Sequence, residues 1–104
     1  MNINAINTLK KWFNFPVGLS DHSFGLLVST VALSIGSDII ERHFTLNKTL
    51  EGPDHILSSE PEEMKGLVEA SKVIKDILGD GIKRIKSSEY DTMNLQQKSL
   101  YALV

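Results

Sequence analysis

An α/β fold on a parallel sheet is what this sequence predicts, on three observations. Short β-like runs alternate with longer runs of helical period along the chain. The two clearest β-like runs, Val17 to Leu19 and Asp38 to Phe44, are separated by Phe24 to Ile35, a stretch suited to a helical crossover. Each also leads into a histidine, through Pro16-Val17-Gly18-Leu19-Ser20-Asp21-His22 and through Ile39-Ile40-Glu41-Arg42-His43. In a βαβ unit the C-terminal ends of parallel neighbours lie side by side, so both imidazoles emerge at one edge.

The elements follow in order. Ile3 to Phe13 carries apolar residues at Ile3, Ile6, Leu9 and Phe13, a helical spacing with lysines outside. Asn14 ends it, and Pro16 stops a helix from continuing. Val17 to Leu19 is a very short strand, followed by the polar turn Ser20-Asp21-His22-Ser23. Phe24 to Ile35 reads as a mostly buried helix, closed by Gly36 just past its C-cap. Asp38 to Phe44 is a strand with β-branched Ile39 and Ile40 near its centre. Thr45 to Ser58 is a long polar loop, and loops of that length inside compact domains are usually functional or disordered.

Ser59-Glu60-Pro61-Glu62 announces the next helix, with capping-box spacing and a proline in the first turn. Met64, Leu67, Val68, Ser71, Ile74, Ile77 and Leu78 fill one stripe of it and read as core. Gly79-Asp80-Gly81 terminates it. Lys83 to Gln97 is polar and without clear period, so it reads as a linker, and Ser99 to Val104 as the start of another strand. Two parallel strands do not make a stable sheet, because such strands are ordinarily buried on both faces and flanked by neighbours. The sequence therefore predicts a piece of a larger fold.

Composition narrows the function classes. With 104 residues the chain suffices for one domain and is short for most complete α/β enzymes. Its 41% apolar and 23% charged content is that of an ordinary globular protein. A net charge of −2 gives no reason to expect nucleic acid or an anionic membrane as partner. The absence of cysteine excludes disulfides and thiolate metal sites. The longest apolar-rich run, Phe24 to Ile35, is far short of a membrane span, and the N-terminal residues lack a signal-peptide core. The expected location is the cytoplasm.

Two neutral imidazoles at the C-terminal rim of a parallel sheet suit a divalent metal ion. By placement alone His22 and His43 read equally as ligands or as structural histidines. Ser20-Asp21 suits both an N-cap for the following helix and a phosphate site at its N-terminus. Gly52-Pro53-Asp54 reads first as an ordinary turn, and His55 as a loop histidine. Glu41 and Arg42 read as a solvated or wall-lining pair.

At Gly18-Leu19-Ser20-Asp21-His22, Glu41-Arg42-His43-Phe44-Thr45-Leu46 and Gly52-Pro53-Asp54-His55, the chain closely resembles the sialic acid synthase family. That family comprises N-acetylneuraminate synthases and their legionaminate and pseudaminate relatives. Ser59-Glu60-Pro61-Glu62-Glu63, Leu78-Gly79-Asp80-Gly81 and Ser99-Leu100 continue the match in order, over nearly the whole chain. The resemblance implies a TIM (β/α)8 barrel followed by a linker and a small antifreeze-like domain. This chain looks like its C-terminal portion: strands seven and eight with helices six to eight, over residues 1–82. Residues 83–104 would then be the linker and the start of the last domain.

The resemblance also implies a reaction: condensation of phosphoenolpyruvate with an N-acetyl hexosamine, usually N-acetylmannosamine, to a nine-carbon 2-keto sugar acid. A divalent manganese or magnesium ion is implied as cofactor. Carried over by position, His22 and His43 match the metal-binding histidines. Ser20 matches the serine that helps hold the phosphate of phosphoenolpyruvate, and Asp54 the loop aspartate near the amino sugar and metal. Glu51, Ile56 and Gln97-Lys98 depart from the residues common in relatives. The family's phosphoenolpyruvate-binding lysines on earlier strands are outside this sequence, as is the last domain's arginine. The expectation is an enzyme piece that is inactive alone, completed by the missing barrel portion or a homo-oligomer. The alternative is a non-catalytic oligomeric metal-binding or interaction module.

Overall fold

The computed structural model describes residues 1–96. Its elements run α1 (Ala5–Trp12), β1 (Gly18–Ser20), α2 (Leu27–Ser34), β2 (Ile39–Glu41), α3 (Pro61–Leu78) and α4 (Tyr90–Gln96). Single 3-10 turns lie at His55–Leu57 and Ser87–Glu89. β1 and β2 pair in parallel, with Gly18 opposite Ile39, Leu19 opposite Ile40 and Ser20 opposite Glu41. α2 is the crossover, and it packs on both strands and on α3. The α/β class and the parallel pairing are as the sequence predicts.

The register has a close-approach requirement at its start. A Cβ on Gly18 would stand 2.4 Å from the carbonyl oxygen of Ile39, inside any permitted contact. Gly18→Ala is expected to push β1 off β2 at a cost of about 1–3 kcal/mol, read as a lowered midpoint in urea unfolding. Gly36, at φ 101°, takes the left-handed turn that ends the crossover, where a side chain would be strained.

Several boundaries differ from expectation, each for a local reason. α2 starts at Leu27 rather than Phe24, because the Asp21 carboxylate takes the backbone N–H of Ser23 (2.8 Å) and its hydroxyl (2.6 Å) in a turn. Neither Ser20 nor Asp21 caps α2; its N-cap is Leu26. The helix is also less buried than expected. Ser29 and Ala32 are its buried residues, while Phe24 just before it and Leu27 at its start are 70% and 74% exposed. β2 ends at Glu41, and beyond it Phe44 bridges in parallel to Ser59. The His43 carbonyl accepts from the Ser59 N–H at 2.8 Å, and the Thr45 N–H donates to the Ser59 carbonyl at 3.0 Å.

That use of Ser59 moves the helix start by one residue. Glu60 is the N-cap of α3, and its N–H donates to Glu63 at 2.9 Å, with Pro61 at the first helical position. Of the expected stripe, Leu67 and Ile74 are buried, whereas Val68, Ile77 and Leu78 are exposed. Among the described residues the buried apolar core is Ile6, Ala32, Leu67 and Ile74. The stretch read as a linker contains α4, whose polar sequence hides a helical turn opened by Ser87–Glu89. The expected strand at Ser99 to Val104 lies outside the described residues.

Two polar clasps fix helices to the segments that flank the strands. Asp38 accepts from the Val17 N–H at 2.9 Å and from Lys10 at 3.0 Å, and Lys10 also reaches the Gly36 carbonyl at 2.7 Å. Lys48 donates to Glu63 at 2.6 Å, tying the long loop to α3. These bonds hold the Asp38 and Glu63 carboxyls below their ordinary range. Carboxyls lowered by folding contribute stability that is full above their unfolded values near pH 4 and lost as pH falls through the folded ones. Acid unfolding is thus expected to begin below about pH 4, and Asp38→Asn with Glu63→Gln to flatten the profile there.

Candidate functional site

Strand alternation decides which side chains meet beyond the sheet's C-terminal end. Residues i and i+2 share a face, and parallel partners stand side by side. Ser20 and Glu41 are partners in register, so His22 and His43, two residues further on, extend the same face. Their rings are 4.9 Å apart between centroids, edge to face at 61°. Ser20 donates its hydroxyl proton to Glu41 Oε1 at 2.7 Å, and the Ser20 Oγ lies 3.1 Å from His22 Nε2.

Asp54 arrives from the long loop, whose folding is local. Thr45, buried, pairs its hydroxyl with His55 Nδ1 at 2.8 Å, and Ser58 donates to the Asp54 carbonyl at 2.6 Å. This brings Asp54 Oδ2 to 3.8 Å from His43 Nδ1, beyond direct hydrogen-bond distance. All four expected site residues, Ser20, His22, His43 and Asp54, therefore lie at one edge. Glu41 joins them unforeseen, although the two-residue spacing to His43, matching that of Ser20 to His22, marks it. His55 is a loop-bracing histidine.

The opposite face carries Asp21 and Arg42, so the expected Glu41–Arg42 pair does not form. Alternation sends adjacent side chains to opposite faces. The Arg42 guanidinium meets Asp21 Oδ2 at 2.5 Å, with side chains 2% and 0% exposed. It also donates through Nε to Ser59 (2.8 Å) and through NH2 to the Ser23 carbonyl (3.0 Å). Ser29 donates to Asp21 at 2.5 Å from α2. Burial opposes the Asp21 charge, but hydrogen bonds from Ser23 and Ser29 and the Arg42 charge outweigh it, so its carboxyl stays below the usual range.

The site face offers nitrogen and oxygen donors on an open rim, with His43 and Asp54 side chains 42% and 68% exposed. Among the described residues no group of three His, Cys, Asp or Glu side chains is assembled to hold an ion. Two imidazoles set edge to face fit a divalent cation as a partial set, with its other positions left to water or substrate oxygens.

The sequence model of the NeuB family matches residues 1–83. A protein of Methanocaldococcus jannaschii described as uncharacterized is 47% identical over 102 residues, 98% of this chain and 30% of that protein. The N,N'-diacetyllegionaminic acid synthase of Legionella pneumophila is 43% identical over 100 residues, 96% of this chain and 28% of the enzyme. The crystal structure of N-acetylneuraminic acid (sialic acid) synthetase from Leptospira borgpetersenii, in complex with citrate, superposes with a TM-score of 0.74. It is 40% identical, and the match covers 91% of this chain and 33% of that one. The chain thus spans about 30% of the length of the curated relatives it matches. On these matches, and as the strand-end motifs imply, the chain belongs to the NeuB family of sialate-type synthases.

Proposed function

We propose that this chain forms the closing part of a sialate-synthase barrel, with strands seven and eight as β1 and β2. In that reading, residues 1–82 belong to the barrel and 83–104 lead toward a further domain. The whole enzyme would join phosphoenolpyruvate to the open-chain aldehyde of an N-acetyl hexosamine, N-acetylmannosamine or a relative. The carbon–carbon bond forms at the methylene of phosphoenolpyruvate, water supplies the keto oxygen, and phosphate leaves. The observation that carries the reading is the convergence of His22, His43, Ser20, Glu41 and Asp54 at the C-terminal edge of two parallel strands. Active sites of such barrels are built at that face.

Each residue has a role that its position supports. His22 and His43 would hold a divalent manganese or magnesium ion, which when bound supplies Lewis acidity and a template for substrate oxygens. Ser20, with a hydroxyl on the open rim, would take the phosphate. Asp54, exposed on its braced loop, would face the amino sugar. The exposed apolar residues Phe24, Leu27 and Ile39 support completion by further barrel surface or by a second copy. No helix among the described residues is long and apolar enough to cross a membrane, which is compatible with the proposed cytoplasmic setting.

The test is a phosphate-release assay with phosphoenolpyruvate, an N-acetyl hexosamine and manganese. The chain is assayed alone and with an N-terminal barrel portion of a family relative. Activity is expected in the reconstituted sample only. Inactivity of a stable complex towards every N-acetyl hexosamine offered would sink the reading.

A further inference from the structure

The site described so far uses one face of the strand ends; the other face carries a buried ion pair that the proposed reaction does not use. Asp21 immediately precedes His22, and Arg42 immediately precedes His43. Their side chains meet at 2.5 Å with almost no exposure. Arg42 also holds Ser59, whose N–H binds the His43 carbonyl at 2.8 Å, so the second histidine is gripped on both sides. Asp21 is held in turn by Ser29 of α2 and by its own N–H, which donates to the Glu41 carbonyl at 2.8 Å.

We propose that the Asp21–Arg42 pair is a positioning device that fixes the spacing of the His22 and His43 imidazoles from behind the sheet. The inference rests on the reading of those two histidines as a cation pair. Burying two charges costs desolvation that their attraction only partly repays, and apolar residues of similar volume commonly stabilise as well or better. An ion pair here therefore does little for stability that packing could not do. What packing lacks is direction. A guanidinium with fixed donor geometry sets the separation of the two strand ends and the azimuth of each next residue. One residue further along each segment stand the two imidazoles, 4.9 Å apart between centroids.

The predicted magnitude is that of residues that orient metal ligands, a loss of about 10–100-fold in affinity. The experiment uses the 104-residue chain in complex with the N-terminal barrel portion of a family relative. Manganese affinity is read by the electron paramagnetic resonance of free ion, and ring proximity by nuclear Overhauser contact between His22 and His43. The double variant Asp21→Leu with Arg42→Met refills the volume, and Arg42→Lys keeps the charge without the fork. Both are expected to stay folded by circular dichroism, to weaken manganese binding about 10–100-fold and to lose the ring contact. Folded variants with unchanged affinity and contact overturn the proposal.

Should these variants unfold, Ser29→Ala and Ser59→Ala each loosen one partner of the pair. A several-fold weaker affinity supports positioning, and wild-type behaviour in both overturns it. If the wild-type complex binds no manganese, the cation reading fails by itself. The ring contact, lost or kept in the variants, then still decides the positioning claim.

Discussion

Replacing either His22 or His43 by alanine is expected to abolish condensation by the completed barrel, with a loss of at least about 10³-fold in kcat/KM, some 4 kcal/mol of transition-state stabilisation. The two rings stand 4.9 Å apart and edge to face, so neither can substitute for the other. The loss should persist at saturating phosphoenolpyruvate, because an interaction that strengthens in the transition state lowers kcat rather than raising KM alone. Ser20→Ala should differ in kind. It removes a hydroxyl bound to Glu41 and proposed to take phosphate, so the expected result is chiefly a raised KM for phosphoenolpyruvate. Steady-state kinetics on the reconstituted enzyme separate the two patterns. Near-normal kcat in both histidine variants would contradict the assignment.

The largest effect on stability is expected at Arg42. Arg42→Ala leaves the Asp21 carboxylate buried with Ser23 and Ser29 as its remaining donors, and an uncompensated buried charge costs about 3–5 kcal/mol. Small domains have only about 5–15 kcal/mol in total, so this variant should be largely unfolded at moderate denaturant. The exposed pair Lys10–Asp38 makes the contrast, with side chains 36% and 40% accessible. Lys10→Ala there is expected to cost at most about 1 kcal/mol. Urea unfolding of the two variants checks the ranking. Equal losses would mean that Arg42 is not the buried linchpin its contacts describe.

What was legible in the sequence followed from local periodicity. The alternation of β-like and helical runs gave the parallel pair and the crossover, and strand ends gave the shared edge for His22 and His43. Period two also contained Glu41 and the opposite-face placement of Arg42. Both were missed because Glu41-Arg42 reads as a charge pair when neighbours are taken along the chain instead of across the pleat. Boundaries were least legible where side chains compete for the backbone. Asp21 draws Ser23 into a turn and delays α2, and Ser59 serves the strand edge, leaving the cap to Glu60. The stripe on α3 was overread, since an apolar pattern says which face can be buried and not what covers it. Asp54 is a third kind of case. Its position beside His43 depends on Thr45, His55 and Ser58 bracing one loop, a tertiary matter that no spacing records.

Joint binding of one divalent cation by His22 and His43 is read by electron spin echo spectroscopy of manganese bound to the reconstituted barrel. Two imidazole nitrogen couplings are predicted, with one lost in His22→Ala and the other in His43→Ala. Manganese bound with no nitrogen coupling, or with couplings that survive both substitutions, would contradict it.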